Sequence, residues 1–290
     1  MMATATSMPA PSTLLRLGRI SNLPTVWTNV MAGSLIAGGA APNQLVLTMA
    51  AMTAFYVGGM YLNDFFDRAV DARDRPGRPI DLGEIHPGSV CAIGFGLLAV
   101  GVVLMVSSGL AATVCGLLLA ATVVLYDVWH KGNPLSPLVM GLCRALVYIG
   151  ACVAATGSAS KAALIGAFAL ACHVAGLTYA AKQESLNRIG SLWPLLMLAV
   201  PLLVALPALT GWPVAVCLVL LFAADSFAVR LLVRKPVPGA VPLAVSGLIA
   251  AICLVDAIAI ASAGGGVVVV ILCTLGYPLT RLLQKIVPGT

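Results

Sequence analysis

The chain has 290 residues, of which 60% are hydrophobic and only 9% charged, and its formal net charge is +6. Soluble domains are about half apolar and about a quarter charged, so this composition excludes a soluble globular enzyme and a soluble nucleic-acid-binding module. A bilayer core about 30 Å thick takes roughly 20 apolar residues per helical crossing, so the length holds one membrane domain of about ten crossings and little else.

In chain order, residues 1–15 come first, with Ser7, Pro9, Pro11 and Ser12 and no charged side chain. Without the basic stretch of a signal peptide they are expected to form a disordered cytoplasmic lead that stays attached. Residues 16–290 are expected to form a single transmembrane domain. Apolar runs of spanning length cover residues 21–40, 44–62, 88–108, 110–128, 135–155, 161–181, 191–209, 212–233, 239–263 and 266–283. The expected fold is therefore all-α: a polytopic transmembrane helical bundle of nine to ten spans.

Fourteen of the 16 basic residues lie before span one, after even-numbered spans or at the end of the chain. Only Lys161 falls on the opposite side, and Arg144 lies inside a span. The positive-inside rule then predicts both termini in the cytoplasm, with the chain in a cell inner membrane. The eight cysteines are scattered singly, with no C-x-x-C pair and no histidine at ligand spacing, and are expected to be packing residues.

Six of the ten acidic residues fall between positions 64 and 84, at the end of span two and after it. Asp64, Asp67, Asp71 and Asp74 are spaced three, four, three, which places them on one face of a helix, one turn apart. Stacked carboxylates repel, and desolvation near a membrane adds to the cost. A hard divalent cation removes the conflict, and Mg²⁺ characteristically combines one or two carboxylates with waters and substrate phosphates. A solvated loop in which Asp and interleaved Arg simply pair is the plain alternative.

Residues 63–71 spell N-D-x-x-D-x-x-x-D at the end of the second span, and 75–79 spell R-P-G-R-P. This pattern resembles the first aspartate motif of the UbiA superfamily of intramembrane prenyltransferases, with its arginine-proline continuation. Tyr126 and Lys131, after span four, resemble that family's tyrosine and basic residues facing a diphosphate. The resemblance implies that Asn63, Asp64, Asp67 and Asp71 hold Mg²⁺, and that Arg75, Arg78, Lys131 and Lys182 hold the diphosphate of an allylic isoprenoid. It further implies transfer of the prenyl group to a small, aromatic acceptor, with Asp64, Asp67 and Lys182 as catalytic residues. Tyr126, Arg144 and Glu184 would line the polar acceptor chamber.

The family's second motif, D-x-x-x-D after span six, is altered here. Counting back from Gly190, its two positions hold Lys182 and Leu186, and only Glu184 is acidic. Lys182 is expected to supply positive charge where the family places a metal ligand. Elsewhere, Arg144 is expensive inside a span and should find a carboxylate or a ligand anion, with Asp127, Asp225 and Asp256 as candidates. His86 and His130 are expected to be solvated loop residues and His173 a hydrogen-bonded packing residue. The rival functional reading is a non-catalytic relative that binds or moves a lipid or aromatic molecule. An ion-coupled transporter using Arg144 and the in-span aspartates ranks last, because it leaves the aspartate cluster unexplained.

Overall fold

The computed structural model describes residues 9–74, 77–182, 191–209, 211–233 and 239–289. The described residues are helical throughout, with short 3-10 turns and no strand. The helices are α1 (Pro11–Leu17), α2 (Leu23–Ile36), α3 (Pro42–Asp74), α4 (Pro87–Val106), α5 (Leu110–Trp129) and α6 (Ser136–Thr156). Then follow α7 (Lys161–Lys182), α8 (Val200–Ala205), α9 (Trp212–Val233), α10 (Ala240–Ser262) and α11 (Val267–Leu283).

Each of the ten apolar runs has a helical counterpart, but only seven helices among the described residues are long and apolar enough to cross a bilayer alone. The other three have identifiable causes. The first run yields α2, 14 residues long, preceded by a 3-10 turn at Ile20–Asn22. The seventh breaks into a 3-10 turn at Trp193–Ala199, then α8, then another turn at Leu206–Ala208. Pro194, Pro201 and Pro207 interrupt it at nearly regular intervals, each removing a backbone donor. The last, α11, is 17 residues long and contains Pro278.

Two departures from the expected boundaries bear on function. The lead expected to be disordered through residue 15 is helical from Pro11, because Thr13 and Leu17 are buried and give a short helix something to pack on. In addition, α3 continues unbroken for 33 residues through the aspartate cluster. At 1.5 Å per residue it is about 50 Å long, so its last turns extend well beyond a 30 Å hydrocarbon core. The aspartate spacing is thereby realised on a continuous helix.

Buried α2, α6, α7 and α10 form the centre of the bundle, while α4, α5 and α9 leave most of their apolar surface outward. Small residues allow the central helices to meet closely. A Cβ on Gly33 of α2 would lie 2.4 Å from the Tyr148 carbonyl oxygen of α6, and one on Gly141 of α6 would lie 2.6 Å from that of Ala171 on α7. The chain's end folds back on its start. The Asn22 amide donates to the Gly289 carbonyl at 2.9 Å and accepts from Gln284 at 3.0 Å.

All eight cysteines are free, six of them buried in helix contacts.

Candidate active site

A cavity of about 460 Å³ opens between α2, α3, α5, α6, α7 and α10. Asn63, Asp67 and Asp71 come to its wall from α3, and Arg78 from the segment beyond. Tyr126, Asp127, His130 and Lys131 come from the end of α5, Arg144 from α6 and Lys182 from the end of α7. The apolar part of the wall includes Phe55, Leu119, Val123, Val147, Val174, Leu177, Ile249 and Ile252. One end is thus densely charged and the rest is mostly hydrocarbon.

Asp64, Asp67 and Asp71 are 4%, 7% and 6% exposed, so three carboxylates are withdrawn from water on consecutive turns of one helix. Each is matched by a cation from a different segment. Arg19, just after α1, reaches Asp64 at 3.2 Å. Lys131 reaches Asp67 at 3.1 Å, with His130 Nε2 on the same oxygen at 3.2 Å. Arg78 approaches Asp71 at 3.9 Å. Burial works most strongly against the Arg19 charge, but Asp64 together with Tyr56 and Tyr126 outweighs that cost, so its pKa is raised overall. Arg19 also holds the left-handed backbone conformation, φ 42°, rare for a non-glycine residue and costly enough to mark a functional segment.

Asn63 links the two walls. Its carbonyl oxygen lies 3.5 Å from Arg19, and its amide donates to Asp127 Oδ1 at 3.2 Å. Asp127 is 4% exposed, and its other oxygen, Oδ2, is buried with no partner among the described residues. An unpaired buried carboxylate oxygen costs free energy that no protein contact returns, which makes it a candidate for chemistry. The Tyr126 ring stacks on His130, centroids 4.8 Å apart and planes 12° from parallel, and so fixes the imidazole against Asp67.

The structure therefore gathers Asn63, Asp67, Asp71, Arg78, Tyr126, Lys131, Arg144 and Lys182 around one cavity, with Asp64 immediately behind. Arg75 and Glu184, and the side chain of Asp74, lie outside the described residues. Lys182 departs from expectation: its ammonium reaches the Asn133 carbonyl at 2.6 Å, Ser136 Oγ at 2.8 Å and the His130 carbonyl at 3.4 Å. Its three donors are taken by the α5–α6 connection. His130 departs too: expected to be solvated, it is buried beneath the aspartate face, because Tyr126 and Asp67 enclose it. His86 is exposed, as expected, and also caps α4 by accepting from the Gly88 amide at 3.1 Å.

Sequence reasoning passed over Arg19 and Asp127 as site residues. The available signal was an ionisable group at each end of an apolar run, Asp127 directly after the singled-out Tyr126.

A helical bundle with seven helices long and apolar enough to cross a bilayer belongs among the integral membrane proteins. More particularly, residues 25–240 match the model of the UbiA prenyltransferase family, and the chain belongs to that family. Among curated relatives, digeranylgeranylglyceryl phosphate synthase of Methanopyrus kandleri is 34% identical over 126 residues, 43% of this chain and 46% of the relative. The enzyme of that name from Halobacterium salinarum is 33% identical over 178 residues, 58% of this chain and 59% of the relative. The chain spans about half the length of the curated relatives it matches. The fold is shared with a UbiA homolog from Archaeoglobus fulgidus solved with GPP and Mg²⁺, at TM-score 0.62, 17% identity, and coverage of 87% of this chain and 99% of that one. A solved structure of a digeranylgeranylglyceryl phosphate synthase matches at TM-score 0.62 and 18% identity, covering 87% of this chain and 97% of that one.

Proposed function

We propose that this protein transfers a prenyl group from an allylic isoprenoid diphosphate to a small acceptor inside the membrane, with Mg²⁺ as cofactor. The observation that carries this reading is the matched stack of carboxylates and cations from Asp64 to Asp71 at the head of an apolar cavity. Among the described residues no three acidic, histidine or cysteine side chains converge on one point, so no complete protein cage for a metal is present. Mg²⁺ keeps waters and takes much of its coordination from substrate phosphates, and needs only one or two carboxylates of the kind α3 offers. Asn63, Asp64, Asp67 and Asp71 would hold it, and it would supply charge neutralisation for the leaving diphosphate.

The protein's own groups account for the remainder. Arg19, Arg78, Lys131 and His130 lie close enough to the carboxylates to turn from them to phosphate oxygens, and charge placed in advance is worth far more in a dry site than in water. The apolar walls take the isoprenoid tail and keep water from an allylic cation. As the C–O bond breaks, its electron pair leaves with the diphosphate and the acceptor attacks C1. The acceptor proton passes to Asp127 Oδ2. Lys182 holds the connection that presents His130 and Lys131, acting as a positioning residue.

The family resemblance implies an aromatic acceptor, whereas the names of the relatives favour the hydroxyl of a glyceryl phosphate. A non-catalytic binder is the second reading, supported by the pairing of Asp64, Asp67 and Asp71 each with a protein cation. Incubating the purified protein with labelled prenyl diphosphates, Mg²⁺ and both acceptor classes separates the two, since only the enzyme releases diphosphate. The charge distribution further supports a cytoplasmic opening of the cavity.

A further inference from the structure

Apart from Arg144, the charged residues described above sit at one end of the cavity. Deeper in, Arg144 also lines the wall, beside Tyr56, whose ring centroid lies 5.4 Å from the guanidinium carbon. Tyr56 precedes Asn63 by seven residues on α3, which at 1.5 Å per residue places this level about 10 Å below the aspartate face. A charge at that depth is costly, and the structure has built a support for it. Arg144 Nη1 donates to Asn29 Oδ1 at 3.0 Å, and the Asn29 amide nitrogen in turn donates to both oxygens of Asp256, at 3.0 and 2.8 Å. Asn29 and Asp256 are 0% exposed, and neither lines the cavity.

A purely structural ion pair brings guanidinium and carboxylate into contact. Here Asn29 stands between them, orienting the arginine while Asp256 is closed off behind it. A guanidinium carries five N–H donors in a planar fork, and Asn29 takes one of them. No other hydrogen-bond acceptor meets it among the described residues, so the rest of the fork is presented to the cavity.

We infer that Arg144 is the recognition point for an oxyanion, carboxylate or phosphate, on the acceptor, held about 10 Å below the diphosphate by the Asn29–Asp256 support. The inference rests on the prenyl-transfer reading and deepens it: the acceptor is an anion, whichever of the two classes it belongs to. The separation leaves room for the acceptor's nucleophilic atom to lie between its own anion and C1 of the donor. A fixed bidentate fork then orients the acceptor, which a flexible lysine does less well.

The test is equilibrium binding to the full chain in nanodiscs, without any prenyl donor, so that its outcome is independent of turnover. The probes are 4-hydroxybenzoate against 4-hydroxybenzamide, and an alkyl glyceryl phosphate against the same alkyl glycerol. In at least one pair the anion should bind about tenfold tighter or more, the scale of one charge-assisted interaction. Whichever pair shows it identifies the source of the anion. Arg144→Gln should bring that preference within about twofold, and Arg144→Lys should keep part of it. Affinity for a non-hydrolysable prenyl diphosphate analogue should be retained in both variants, which also shows that they fold. Equal affinity for charged and neutral members of both pairs in the wild type overturns the inference, as does an undiminished preference in Arg144→Gln. So does a parallel loss of diphosphate affinity, which would assign Arg144 to the donor. Failed prenyl transfer with intact anion preference would count against the enzymatic reading alone.

Discussion

At the residue scale the site is a set of charges whose partners come from distant parts of the chain. Asp127 shows what proximity adds. Its Oδ1 is held by Asn63 while Oδ2 is buried and has no partner among the described residues, beside the wall where a leaving group would sit. Replacing it with asparagine keeps the shape and the bond from Asn63 but removes the basic oxygen. With a hydroxyl acceptor, Asp127→Asn should lower kcat by about 10²-fold, the lower end for a positioned general base, with donor binding retained. An unchanged kcat would remove Asp127 from proton transfer. Lys182 makes the contrasting case. With its donors occupied by the connection after α5, Lys182→Met should act through the placement of His130 and Lys131. KM for the donor should rise by about tenfold, the equivalent of one lost polar contact, with kcat little changed. A fall in kcat at constant KM would instead give the ammonium a direct role in the reaction.

At the scale of elements, α3 does most to create the site, because it runs on past the apolar region and carries its carboxylates on successive turns. Helix α1 closes over it. Thr13 donates to Glu84 at 2.5 Å, Arg16 pairs with the same carboxylate, and the Tyr61 hydroxyl donates to the Leu14 carbonyl at 3.1 Å. The hydrogen bonds from Arg16 and Thr13 hold the Glu84 carboxyl below its usual pKa. A depressed carboxyl contributes stability above its unfolded value, about 4.3, and loses it as pH falls through the folded value. Hydrogen exchange of the α1 amides should therefore quicken below about pH 4, relative to α3, and Glu84→Gln should abolish that step. Identical profiles in wild type and variant would detach Glu84 from the closure of α1.

The legible part of the sequence was local. Apolar run length located every helical region after α1, and the three-four-three spacing placed Asp64, Asp67 and Asp71 on one face. What escaped was set by tertiary contact. The burial of His130 depends on Tyr126 one turn earlier and on Asp67 from another helix, and Arg19 joins the site only because the chain turns left-handed there. The occupation of Lys182 could not be read from its motif position, since its partners lie about 50 residues away.

For the whole molecule, the expected orientation follows from charge alone. Single cysteines introduced at Gly132 and Ser158 into a background without the native cysteines should label from the cytoplasmic and the external side respectively. The reverse pattern would invert the map and place the cavity's charged end outside. The central claim, that the aspartate face with Mg²⁺ supports prenyl transfer into an apolar cavity, is tested most directly by diphosphate release from a labelled allylic donor. With Mg²⁺ and an acceptor present, the wild type should release diphosphate. Chelation should abolish release, and Asp67→Asn should reduce it by about 10²–10³-fold, as for other single pre-placed electrostatic groups. No release from any donor and acceptor pair, or release indifferent to Asp67 and to Mg²⁺, would contradict the account.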